Sequence, residues 1–253
     1  MTPGVVERER YGAVTLLRVH HPPVNAFDLE VGKELERAVE ETLASDSAAL
    51  VLTGAGRCFS AGLNLKVVPR YNPAEQRAMI ETANRLLTRL YACPLPTVAA
   101  VNGHAVAAGL VLALACDYRV GSVGSSLLGL TEARVGIPFP GAAMAIVRAE
   151  LSAAAARTLT LVARNVTGER AAALGMLDEL TPAEQVLPRA IAVAEDLATM
   201  PRGSYARIKH QLRSPTIAAL EEIGRGADPM LVSWLDPEAA AGASAVLHGA
   251  RDP

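Results

Sequence analysis

Two rhythms of apolar and polar positions alternate along the first half of the chain. Val14–Val19 is a run of β-favouring residues ended by Pro22-Pro23, Ala48-Ala49-Leu50-Val51-Leu52 is apolar throughout, and Thr97–Val101 repeats that character. Short runs closed by turn residues predict buried strands. Between them the apolar residues fall at helical spacing. Leu29, Leu35, Val39 and Leu43 predict a helix over Leu29–Leu43 with Asp28 as its N-cap, and a second helix is expected over Pro73–Tyr91. Asn102-Gly103 supplies a turn after the third run, and an all-apolar helix is expected from about Ala107 to Ala115. From Ala142 onward the spacing is almost wholly helical, with helices expected over Ala142–Leu151, Ser152–Ala163, Glu169–Leu174, Pro182–Thr199 and Gly203–Leu212. Pro215, Pro229 and Pro237 divide the chain beyond Leu212, and Ala239–His248 predicts a last helix made mostly of alanine. Strands alternating with helices, then helices alone, specify an α/β fold with a helical C-terminal portion.

Composition narrows the class. With 253 residues, 51% hydrophobic and 20% charged, the chain can bury one substantial core, which excludes a disordered, collagenous or coiled-coil protein. Lys and Arg number 24 against 26 Asp and Glu, giving a net charge of −2, and no basic stripe is gathered for a phosphate backbone. Aromatics at 4% leave no stacking platform for single strands, so nucleic acid is not an expected partner. Cys58, Cys93 and Cys116 are odd in number and lack metal-ligand spacing, which argues against a disulfide framework or a metal site and for a reducing cytoplasm. The start of the chain lacks the apolar core of a signal peptide, and the longest apolar run, Ala105–Cys116, falls short of the roughly 20 residues of a membrane span.

Four segments invite chemistry. Gly54-Ala55-Gly56 follows a buried strand, but Phe59 stands where a dinucleotide-binding fingerprint needs its third glycine, so a turn is the better reading. Ser60 in Cys58-Phe59-Ser60-Ala61-Gly62 resembles a nucleophile elbow without its first glycine. The partners it would need, His104 and Asp117, are equally well explained as a turn residue and a strand-start residue. The start of the apolar helix offers unpaired backbone N–H groups beside the small residues Ala107, Ala108 and Gly109, which suit either an oxyanion or tight helix packing. Glu132 is an acid among apolar neighbours in Leu128-Gly129-Leu130-Thr131-Glu132-Ala133; it suits a proton carrier with a raised pKa, or a structural acid at a helix start paired with Arg134.

Taken together the segments resemble the crotonase superfamily, the enoyl-CoA hydratase/isomerase family. The resemblance is carried by Pro22-Pro23-Val24-Asn25-Ala26, by Gly54 through Leu65, by Asn102-Gly103 through Cys116-Asp117-Tyr118-Arg119, and by Ala173-Leu174-Gly175-Met176-Leu177-Asp178. It implies a crotonase-type ββα superhelix over residues 1–195 and a helical C-terminal trimerisation region over 196–253, in a homotrimer or dimer of trimers. It implies an acyl-CoA thioester as ligand, with no cofactor beyond the coenzyme A of the substrate and no metal. The thioester oxygen would be held by the backbone N–H groups of Leu63 and Ala108. Val24, Ala26, Ser60, Ala61, Gly62, Asn64 and Leu65 would line the CoA channel, with Lys66 as a phosphate contact.

Departures from the family pattern bear on the reaction. Hydratases of the family carry two glutamates, of which Val111 occupies the first position and Glu132 the second. Hydration wants one group to activate water and another to deliver a proton, whereas moving a double bond needs one base that takes a proton and returns it two carbons away. The sequence around Phe59–Leu65, Cys116–Arg119 and Leu128–Glu132 also resembles the mitochondrial-type Δ3,Δ2-enoyl-CoA isomerases. An isomerase is therefore expected, with an enoyl-CoA hydratase and a non-catalytic acyl-CoA binding protein as alternatives. Asn64 stands where the family usually has aspartate, and Ala107-Ala108 replace glycines. Acyl chain length and pathway stay open, since the pocket depends on loops such as Val67–Asn72.

Overall fold

The computed structural model describes residues 5–228 together with Met230 and Leu231. The expected helix over Ala239–His248, and Pro229 and Pro237, lie outside the described residues. In chain order the elements are β1 (Val6–Tyr11), β2 (Val14–Val19), α1 (Leu29–Leu43), β3 (Ala49–Gly54), β4 (Cys58–Ser60), α2 (Pro73–Tyr91), β5 (Thr97–Val101), β6 (His104–Val106) and α3 (Ala108–Leu114). They continue with β7 (Tyr118–Ser122), β8 (Leu127–Gly129), α4 (Glu132–Val135), α5 (Gly141–Glu150), α6 (Ala153–Arg157), β9 (Val166–Thr167), α7 (Gly168–Ala173), β10 (Glu179–Thr181), α8 (Val186–Ala198) and α9 (Arg202–Glu222).

Strand pairing reveals a repeat. The six-stranded sheet runs β1-β2-β3-β5-β7-β10 and the four-stranded sheet β4-β6-β8-β9. Each of three successive units, β3-β4-α2, β5-β6-α3 and β7-β8-α4, gives its first strand to the large sheet, its second to the small one, and then a helix. This is the ββα superhelix of the crotonase fold. The central strands of the large sheet pair in parallel and are buried on both faces, which explains their unbroken apolar sequences. Alternate residues serve opposite cores. Val14, Leu16, Ala49, Val51, Val98 and Ala100 pack against α8, while Leu17, Val19, Leu50, Leu52, Ala99 and Val101 join the main core with residues of α1, α2, α3 and α5.

Several elements depart from the sequence expectation. β1 is disguised by Glu7-Arg8-Glu9-Arg10, charges that suit an antiparallel edge strand; Arg18 on β2 pairs with Glu9 at 2.9 Å. Asn102-Gly103 turns into the three-residue strand β6 rather than straight into α3. The C-terminal half also contains β9 and β10, and the helix expected over Ser152–Ala163 is α6 followed by a π turn, Thr158–Val162. Pro215 does not end a helix: α9 runs through it to Glu222. Proline removes the N–H that would have met the Gln211 carbonyl, and Ser214 Oγ donates to that oxygen at 3.3 Å instead. Among the described residues no helix is long and apolar enough to cross a membrane.

α9 is anchored by buried charge. Lys209 Nζ lies 2.8 Å from Asp117 Oδ2 and Arg213 Nη1 lies 3.0 Å from Asp117 Oδ1, while Arg213 Nη2 donates to the Cys116 carbonyl just beyond α3. The C-terminal end of α3 is thereby held from below.

Candidate active site

The site forms where two repeats meet. The loop after β4 carries Ala61, Gly62 and Leu63 across the start of α3, and the fit depends on glycine. A Cβ on Gly62, which sits at φ +84°, would stand 2.7 Å from the Ala107 methyl and 3.4 Å from the Ala108 nitrogen. Gly109 performs the matching role from the helix side, since a side chain there would collide with the Ser60 carbonyl. Ser60 Oγ accepts the Gly62 N–H at 3.3 Å, and Phe27 bridges the other edge, its N–H donating to the Gly62 carbonyl and its own carbonyl accepting from Asn64.

Two backbone donors are left over. Neither the Leu63 nor the Ala108 N–H takes part in a hydrogen bond among the described residues. Ala108 opens α3, where the first N–H groups have no intrahelical acceptor. Ala107, just before it, is held at φ 52°, ψ −123°, a conformation unfavourable to a residue with a Cβ. Its N–H donates to the Gly129 carbonyl at 2.8 Å and its carbonyl accepts from Val111. The bond to Gly129 joins the donor segment to the end of β8, three residues before Glu132.

Leu63, Ala108 and Glu132 line one narrow cavity of about 50 Å³. Its other walls are apolar: Phe27, Met79, Ile80, Ala83, Leu86 and Leu87 together with Val111, Leu112, Pro140 and Ala143. Glu132 opens α4 and is 6% exposed, and its Oε2 has no hydrogen-bond partner among the described residues. Burial pushes its carboxyl up to about 7, outweighing a backbone hydrogen bond that favours the charged form. Arg134, the partner a structural acid would have used, turns away to the carbonyls of Ala163 and Val162. Two free N–H groups and a buried carboxyl with a raised pKa, around an apolar cavity, are the kind of arrangement that can stabilise negative charge on an oxygen while a neighbouring carbon gains or loses a proton.

The other residues singled out in the sequence lie outside this cavity. Val24 and Lys66 are exposed, Ala26, Ala61, Asn64 and Leu65 are half-buried, and Ser60 and Gly62 are buried beneath the loop. Asn64 Nδ2 donates to Asp28 Oδ2 at 3.0 Å. Ser60, His104 and Asp117 do not form a triad: Ser60 Oγ serves Gly62, His104 Nδ1 accepts the Leu127 N–H, and Asp117 is engaged by Lys209 and Arg213. Burial also raises the thiols of Cys58, Cys93 and Cys116, which makes them poor nucleophiles. The sequence reading missed the contribution of α2 and α5 to the cavity. The only signal was helical spacing of Met79, Ala83, Leu86 and Leu87, identical to that of an ordinary packed face.

Comparison with known proteins places this geometry. The sequence profile of the family described as enoyl-CoA hydratase/isomerase matches residues 9–240. A probable enoyl-CoA hydratase of Mycobacterium avium is 33% identical over 206 residues, 81% of this chain and 80% of the relative. The mitochondrial enoyl-CoA delta isomerase 1 of Rattus norvegicus is 32% identical over 216 residues, 84% of this chain and 74% of the relative. Among solved structures, human mitochondrial delta3-delta2-enoyl-CoA isomerase superimposes with a TM-score of 0.91 at 25% identity, covering 98% of each chain.

Proposed function

The chain belongs to the enoyl-CoA hydratase/isomerase family, and on that premise we propose that it is an enoyl-CoA isomerase, shifting the double bond of a 3-enoyl-CoA to the trans-2 position. One observation carries the choice: among the described residues that line the cavity, Glu132 alone titrates, and Val111, where the family resemblance implies a hydratase's other acid, is an apolar wall. In the proposed reaction the Glu132 carboxylate removes a proton from C2. The electron pair moves into a dienolate whose negative charge rests on the thioester oxygen, held by the Leu63 and Ala108 N–H groups. The protonated Glu132 then gives the proton to C4, leaving C2 and C3 doubly bonded and the carboxylate restored. A base poised near neutrality suits both halves of this transfer.

In this reading Val24, Ala26 and the Ser60–Lys66 segment border the path of the coenzyme A moiety, with Ser60 acting through the loop it braces. The scheme calls for no metal or redox cofactor, because its electrophile is a pair of backbone N–H groups and its base a carboxyl. The reading also includes the cytoplasm and a trimer or dimer of trimers. Ile208 and Leu212, 64% and 80% exposed on α9, are apolar surface that assembly would cover.

Hydration by Glu132 alone is the second reading, favoured by the name of the Mycobacterium avium relative. Ultraviolet absorbance of the conjugated thioester separates the two. Mixed with 3-enoyl-CoA an isomerase raises the signal; mixed with trans-2-enoyl-CoA a hydratase lowers it; a protein that only binds acyl-CoA changes neither.

A further inference from the structure

α5 begins at Gly141 with Pro140 at its N-cap, a residue with no side-chain acceptor for the first N–H groups of the helix. Those groups are met from distant parts of the chain. The Gly141 N–H donates to Asp228 Oδ2 at 3.1 Å, and the Ala142 N–H donates to Asn84 Oδ1 at 3.2 Å. Asn84 Nδ2 donates to the same Asp228 oxygen at 2.7 Å, so one carboxylate ties α2 to the start of α5. Negative charge is favourable at that helix end. The second oxygen, Asp228 Oδ1, accepts the Met230 N–H at 2.8 Å and so directs the chain beyond α9.

That direction matters to the cavity. Met230 and Leu231 pack on the cluster that contains Met79 and Ile80, both of them cavity walls. Ile80 is fully buried and has two faces, one toward the cavity and one toward the recess shared with Asn84, Asp228 and Leu231. Close-packed walls yield only where the groups behind them can move. We propose that Asp228 is a positioning residue for substrate specificity: by seating Met230 and Leu231 behind Ile80, and by clasping α5 to α2, it limits the length of acyl chain the cavity accepts. The proposal rests on the reading of this cavity as the acyl site of a CoA thioester.

The test is calorimetric titration of the full chain and of two variants, Asp228→Asn and Leu231→Ala, with saturated acyl-CoA thioesters of increasing chain length, folding being checked by circular dichroism. Asparagine has one acceptor oxygen where the carboxylate has two, so either Met230 or the Asn84 and Gly141 donors lose their partner. Leu231→Ala removes the backing side chain and leaves the clasp intact. The expected result is a wild-type affinity that stops rising at a certain chain length and a limit displaced to longer chains in both variants, with the long-to-short affinity ratio raised about tenfold, the scale of a methylene in an apolar pocket. An unchanged length profile in folded variants overturns the proposal, whatever their stability, and if Asp228→Asn does not fold, an unchanged profile in Leu231→Ala still overturns it, because Leu231 is a side chain through which Asp228 would act. Absence of any acyl-CoA binding by the wild type is a separate result: it overturns the reading of the cavity and the proposal with it.

Discussion

Asn64 Nδ2 donates to Asp28 Oδ2 across 3.0 Å while Asp28 Oδ1 accepts the Glu30 and Val31 N–H groups at the start of α1. One buried aspartate thus pins the loop that carries Leu63 to a fifteen-residue helix. Position 64 must present a donor to that carboxylate, which accounts for asparagine at this site.

Asn64→Asp should therefore destabilise the protein by about 1–3 kcal/mol near neutral pH, the cost of a lost hydrogen bond plus a facing like charge. Acidification should shrink the deficit, because protonating one carboxyl restores a donor between them. Urea unfolding at neutral and mildly acidic pH checks this; equal stability of variant and parent at neutral pH would count against the pinning role.

Ala107 holds φ 52°, ψ −123° immediately before the Ala108 donor. Glycine takes that conformation without steric penalty, so Ala107→Gly should stabilise the fold by about 1 kcal/mol, even after the added freedom of the unfolded chain is counted. A rise in thermal midpoint is the expected observation. A fall would show that the alanine methyl contributes more by packing than it costs in backbone strain.

Glu132 makes stability depend on pH in an unusual direction. Its carboxyl is raised from 4.5 to about 7, so between those values the folded state keeps a proton that the unfolded state has released. Stability contributed by this group is full below about 4.5, falls as pH rises, and levels off above about 7, with a span on the order of 3 kcal/mol. Glu132→Gln should abolish that slope and be the more stable protein at neutral and alkaline pH. Parallel stability curves for variant and parent across this range would contradict the burial argument.

Much of this arrangement is written locally in the chain. α1 announces itself through apolar spacing and through Asp28, while the capping box of Asn72 and Glu75 that starts α2 emerged only in the structure. Glu132 is legible as an acid among apolar neighbours, and its burial follows from the same neighbours. β6 is not legible, because its three residues gain strand character only from β4 and β8, which are remote in sequence. Pro215 misleads for a similar reason: the carbonyl it orphans is answered by Ser214 once α9 is formed. The cavity itself is hidden, since Met79, Ala83 and Ala143 have the spacing of core residues and only their missing neighbour makes them walls. The Asp228 clasp spans 144 residues to Asn84, a separation no local pattern reports.

The central claim is that one carboxyl carries the proton in both directions. Its most direct measurement is the rate at which Glu132→Gln converts 3-enoyl-CoA to the conjugated thioester, with acyl-CoA affinity determined on the same preparation. Glutamine keeps the shape of the side chain but cannot accept the C2 proton, so affinity should be nearly unchanged and the rate should fall by at least the roughly 10²–10⁴-fold expected for loss of a general base. A variant that binds acyl-CoA and isomerises at the parental rate would place the base elsewhere and contradict the account.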